Sequence, residues 1–134
     1  MKPALIDTDI LSAFFRGNPV VKTNVEKYLH EYATINFSII TYYEILNGLL
    51  YKDAHGQLQK FNEFCLLNTI VPLTINATNK AAEIYANLRK TGKPIGHTDC
   101  LIAGIALSNG LQLATNNTAH FRRIKSLELL DWFN

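Results

Sequence analysis

The sequence predicts an α/β fold, a three-layer α/β/α sandwich around a central, mostly parallel sheet of four to five strands. Three observations lead there. Short apolar runs alternate with longer segments of helical periodicity, the pattern of strand–helix–strand units. No Pro/Gly/Ser-rich linker, charge run or repeat interrupts the alternation, and 134 residues suit one domain of ordinary size, so a single domain over residues 1–134 is expected. Apolar residues make up 48% and charged residues 18%, a globular balance that excludes disordered, collagen-like and coiled-coil classes.

The elements follow in order. Ala4-Leu5-Ile6 reads as a buried strand ending at Asp7, and a short helix over Asp9 to Arg16 is stopped by Gly17 and Asn18. Pro19 suits the first turn of a second helix, where Val21, Val25, Tyr28, Leu29 and Tyr32 recur at helical spacing. Thr34 to Phe37 is a second strand, followed by helices over Ile40 to Tyr51 and Gly56 to Leu67. These last three helices carry more aromatic surface than one small sheet covers, so a homodimer interface and a groove for a partner segment are expected on them. Thr69 to Leu73 is a third strand, and helices over Thr78 to Lys90 and Thr98 to Ser108 come next, the last ended by Asn109-Gly110. Leu111 to Thr115 and Leu127 to Leu130 complete the strands.

Thirteen basic and eleven acidic residues leave a net charge of +2, compatible with an anionic partner. The longest stretch without a polar side chain, Cys100 to Leu107, is eight residues, too short to cross a membrane. Acidic Asp7 interrupts the opening stretch, so no secretory signal is expected. Cys65 and Cys100 match neither a CxxC nor a Cys/His metal spacing and read as free thiols, which suggests a cytoplasmic location.

In a parallel α/β sheet, ligands bind beyond the carboxyl ends of the strands. Asp7 ends the first strand, Glu44 lies in the first turns of the helix after the second, Asp99 opens the helix before the fourth, and Asn116 and Asn117 follow the fourth. Three carboxylates gathered at one edge repel unless a cation or protons neutralise them, and oxygen-only ligands suit Mg²⁺ or Mn²⁺. Each acid also has a plainer reading. Asp7 and Asp9 suit a helix cap, Thr41-Tyr-Tyr-Glu44 matches a capping box, Asp99 complements a helix dipole, and Asn116-Asn117 suits a turn. His30, His55, His97 and His120 are scattered, with His97 and His120 closest to the acids, so no nucleophilic triad is formed.

Four segments carry a family resemblance. Leu5-Ile-Asp-Thr-Asp-Ile-Leu-Ser12 resembles the opening motif of PIN-domain nucleases. Ser38-Ile-Ile-Thr-Tyr-Tyr-Glu-Ile-Leu-Asn-Gly48, Gly92-Lys-Pro-Ile-Gly-His-Thr-Asp-Cys-Leu-Ile-Ala103 and Ala114-Thr-Asn-Asn-Thr-Ala-His-Phe121 are similar to the second, third and fourth. They span nearly the whole chain in the right order and are most similar to the VapC-type toxins of bacterial toxin–antitoxin pairs. The resemblance implies a Mg²⁺- or Mn²⁺-dependent endoribonuclease that cuts structured RNA such as tRNA or rRNA. It also implies a homodimer, a small VapB-like antitoxin and a higher assembly with that antitoxin. By it Asp7, Glu44 and Asp99 fall on the metal-binding positions, Thr115 on a supporting hydroxyl, and Asn117 where many relatives carry a fourth acid.

Arg16, Lys93, Arg122 and Arg123 flank these segments and are the candidates for RNA contact. Three alternatives stay open. One is a PIN-fold nuclease of RNA maturation, and another a catalytically weak PIN domain that binds RNA or protein. The third is a haloacid-dehalogenase-like phosphatase using Asp7 of the Asp7-Thr8-Asp9 triplet, which lacks the paired late acids that chemistry needs.

Overall fold

The computed structural model describes residues 1–134. The elements are β1 (Ala4–Ile6), α1 (Thr8–Phe15), α2 (Pro19–Glu31), β2 (Asn36–Ser38), α3 (Ile39–Tyr51), α4 (His55–Leu67), β3 (Thr69–Val71), α5 (Ile75–Lys90), α6 (His97–Ser108), β4 (Gln112–Ala114), α7 (Thr118–Phe121) and β5 (Leu129–Leu130). The five strands form one sheet in the order β3-β2-β1-β4-β5, and every pairing is parallel, so the sheet is wholly rather than mostly parallel. In the central pair Leu5 lies opposite Leu113 and Ile6 opposite Ala114.

Alternation along the strands divides the core in two. Leu5 and Leu113 point to one face and pack with Ala77, Ala81 and Ile84 of α5 and with Ile102, Ala103, Ile105 and Ala106 of α6. Ala4, Ile6 and Ala114 point to the other and pack with Ile10 and Leu11 of α1, Val21, Val25 and Tyr28 of α2, and Phe61 of α4. α5 and α6 approach closely because Gly104 has no side chain; a Cβ there would meet the Ala77 carbonyl oxygen and lie 2.9 Å from the Ala81 nitrogen. Apolar side chains also remain outside on α3 and α4, notably Tyr43, Leu50, Tyr51, Leu66 and Leu67.

Caps explain where the helices depart from their expected bounds. Asp7 caps α1 by accepting from Thr8 N, so the helix starts one residue earlier than expected. The Thr74 hydroxyl accepts from Ala77 N and starts α5 at Ile75 rather than Thr78. Ser38, not Thr41, caps α3. The short α7 was not expected; four residues show no periodicity.

Candidate active site at the carboxyl edge

Strand order reverses direction at β1, whose neighbours are β2 and β4. Where order reverses, connections leave on opposite faces and open a crevice beyond the strand ends. Asp7 stands there at the end of β1, its backbone N–H donating to the Ala114 carbonyl at 2.9 Å. Thr115 follows β4 and is fully buried beside it.

Hydrogen bonds join the predicted residues into one connected set. Asp7 Oδ1 accepts from Thr8 N at 2.9 Å, and Oδ2 accepts from the Thr115 hydroxyl at 2.7 Å. The Thr8 hydroxyl donates to Glu44 Oε1 at 2.7 Å and lies 2.9 Å from the buried Thr41 hydroxyl. Because Ser38 caps α3, Glu44 is released from the capping box and faces the site. On the other side Thr115 Oγ1 accepts from Asn117 N at 3.0 Å. The Asn117 amide nitrogen lies 3.0 Å from His120 Nδ1, which stands 3.5 Å from Asp99 Oδ2. Glu44, Asp7, Thr115, Asn117 and Asp99 thus share one edge, linked through Thr8 and His120.

Asp9 makes its own contribution. Its Oδ1 accepts from Ile10 N at 2.7 Å and its Oδ2 from Asn116 N at 3.0 Å, fixing the turn after β4 to α1. Burial pushes the Asp9 carboxyl above its ordinary range, while the two amide donors pull it back.

The electrostatics centre on Asp7, which is only 5% exposed. Burial, then the charge of Asp9, raises its pKa from 3.8 to about 7; the Thr115 and Thr8 bonds oppose the rise and Asp99 adds to it. A carboxyl held in that condition, with no basic side chain paired to it, suits a cation. The donor set is oxygen-rich and fits a hard divalent ion in kind. No three His, Cys, Asp or Glu side chains are already grouped around a common point.

The basic candidates come from separate elements. Lys93 lies in the loop before α6 and Arg122 caps α7, both exposed near the edge. Arg123 Nη1 donates to the Pro94 carbonyl at 3.2 Å and to the Lys93 carbonyl at 3.5 Å, so it holds that loop. Arg16 caps the far end of α1, nine residues or about 13 Å along the helix from Asp7. Sequence reasoning passed over Thr8 and Asp9 as contributors; the unusual Asp-Thr-Asp triplet at a strand end was the available signal.

Among known proteins, the PIN domain family matches residues 4–127. The chain belongs to the PIN-domain family. A PIN-domain relative, the ribonuclease VapC of Rickettsia bellii, is 35% identical over 130 residues, covering 94% of this chain and 93% of its own. The tRNA(fMet)-specific endonuclease VapC of Shigella flexneri is 43% identical over 56 residues, 42% of each chain. Among solved structures, VapBC2 from Rickettsia felis bound to a DNA fragment from their promoter aligns with a TM-score of 0.85 at 28% identity, covering 96% of this PIN domain and 98% of that chain.

Proposed function

We propose that this chain is a Mg²⁺- or Mn²⁺-dependent endoribonuclease, the toxin of a toxin–antitoxin pair, hydrolysing phosphodiester bonds of structured RNA such as tRNA or rRNA. The observation that carries the reading is the connected set of acids at the carboxyl edge, with buried Asp7 at its centre. Ribonuclease relatives support the activity, the tRNA-specific relative supports the substrate class, and VapBC assemblies support a VapB-like antitoxin.

Asp7, Glu44 and Asp99 would hold the ion, which when bound supplies Lewis-acid activation of water and neutralises charge developing on the phosphate. The chain's own residues supply placement. Thr115 and the Thr8 amide fix both Asp7 oxygens, so the buried carboxylate cannot rotate away from the crevice. Thr8 holds Glu44 across the gap between α1 and α3. Lys93 and Arg122 offer phosphate contacts at the rim, where neutralisation of the RNA backbone supplies non-specific affinity. Asn117, at the position where many relatives have an acid, brings a neutral amide, which reduces the charge available for a second ion. No side chain is placed as a nucleophile.

A homodimer and a higher antitoxin assembly in the cytoplasm complete the proposal. The apolar surface supports the dimer: Tyr51, Leu66 and Leu67 stand 87%, 87% and 75% exposed on α3 and α4. No helix is long and apolar enough to cross a membrane. The test is growth. Expressed without an antitoxin, the chain should arrest bacteria, with loss of intact tRNA or rRNA, and Asp7→Ala should relieve both at equal protein level. Equal arrest by the variant would remove catalysis from the explanation.

A further inference from the structure

His120 links Asn117 and Asp99 but has been given no chemical role above; its Nδ1 is within hydrogen-bond distance of both. Its position is set by the fold. Phe121, the next residue, is fully buried and packs with Ile124 and Leu127 beneath α6, while Asn117 N is tied to Thr115. One ring atom, Nδ1, faces two neighbours: the Asn117 amide at 3.0 Å and Asp99 Oδ2 at 3.5 Å. If Nδ1 carried a lone pair, it would accept from Asn117 and set two acceptors face to face across the Asp99 gap. If Nδ1 carries a hydrogen, that one hydrogen is shared in a three-centre bond between Asp99 Oδ2 and the Asn117 side-chain amide once its oxygen faces the ring. A half-turn of the amide brings that oxygen into place without moving anything else. Only the second arrangement makes both contacts favourable.

We propose that His120 is a positioning residue for Asp99: its Nδ1–H holds Asp99 Oδ2, and the Asn117 amide oxygen fixes the ring in that tautomer. Asn117 then acts through His120 and not as a metal ligand. The chain of bonds from Asp7 through Thr115 and Asn117 to His120 sets Asp99 at a fixed place relative to Asp7, although the two sit on elements 92 residues apart. Carboxylates that hold a metal depend on such outer partners, whose loss typically weakens metal affinity or activity about 10- to 100-fold. The inference rests on the reading of Asp99 as a working carboxylate.

Two measurements test it. In the metal-free protein with its imidazole ring neutral, the ring nitrogen resonances of His120 should show Nδ1 protonated and Nε2 bare. An Nε2–H tautomer overturns the proposal. The second measurement is Mn²⁺ binding by calorimetry together with kcat and KM for RNA cleavage. His120→Ala and His120→Gln should each weaken Mn²⁺ binding about tenfold or more and lower kcat with little change in KM. His120→Asn, whose amide N–H occupies the place of Nδ1, should recover most of the loss. Recovery by Gln and not by Asn would put the working atom at Nε2 and overturn the assignment, as would Mn²⁺ affinity unchanged in His120→Ala. If the wild-type chain neither binds Mn²⁺ nor cuts RNA, the nuclease reading fails, and the nitrogen resonances still decide the tautomer.

Discussion

Replacing Asp7 by Asn removes a charge that the fold keeps almost out of water, and the structure allows the consequence to be worked out. The Asp7 pKa stands at about 7 against an ordinary 3.8. At about 1.4 kcal/mol per pH unit, the ionised side chain costs the folded state about 4 kcal/mol at pH ~8. The sign follows from linkage. The folded pKa lies above the unfolded one, so Asp7's favourable contribution is complete below 3.8 and is lost as pH rises through about 7. Asn keeps an oxygen for Thr8 N but turns an NH₂ towards Thr115 Oγ1, reversing the bond that the hydroxyl now donates. Allowing about 1–2 kcal/mol for that exchange, Asp7→Asn should be more stable than wild type by about 2–3 kcal/mol at pH ~8. The gap should narrow by about 2–3 kcal/mol at pH ~5, where wild-type Asp7 is protonated. Urea unfolding of both proteins in EDTA at the two pH values is the assay. A variant less stable than wild type at the higher pH, or a gap that ignores pH, would refute the claim that burial penalises this charge. The same variant should be inactive, so stability gained and activity lost would come from one residue.

Other perturbations have equally definite outcomes. Gly104→Ala should cost about 2–3 kcal/mol and lower Tm, because the new methyl meets the Ala77 carbonyl and Ala81 with no flexible neighbour to yield. Thr8→Val removes the hydroxyl between Glu44 and Thr41; it should lower cleavage about tenfold while changing stability by only about 1 kcal/mol, and Thr8→Ser should recover the rate. Asn117→Asp still offers His120 an acceptor and adds a charge to the edge, so Mn²⁺ should bind more tightly by calorimetry. Light scattering should show a dimer for wild type and a monomer for Tyr51→Lys combined with Leu67→Glu, with an unchanged Tm; a dimer in both would place the interface elsewhere.

Strand ends made the acids legible in the sequence. A short apolar run closed by an acid needs no long-range information, so Asp7, Glu44, Asp99 and the Asn116–Asn117 turn could be assigned to one edge once parallel topology was inferred. The sheet itself followed from the alternation of runs. What escaped was whatever acts across the chain. Asp9 looked like a local cap, yet one of its oxygens holds the amide of Asn116, 107 residues away. The Asp-Thr-Asp triplet marked Thr8 but not its role, because its partners Thr41 and Glu44 are supplied by another helix. The Thr41–Glu44 capping box matched in spacing and failed in place, because Ser38 offered a hydroxyl one turn earlier. Arg16 is near Asp7 in sequence and a helix length away in space, whereas Arg123 is spent on the loop before α6.

The central claim is that acids at the carboxyl edge hold a divalent ion for RNA cleavage, and Asp99→Asn tests it most directly. Asp99 lies at the partly buried start of α6 and Asn keeps its shape, so the variant should keep a Tm close to that of the wild type. Purified wild type should cut tRNA with Mn²⁺ or Mg²⁺ and stop in excess EDTA. Asp99→Asn, with the ion present, should be slower by at least about a hundredfold, within the range by which such ions and their ligands govern hydrolysis. Cleavage that persists in EDTA, or an Asp99→Asn protein as fast as wild type, would contradict the account.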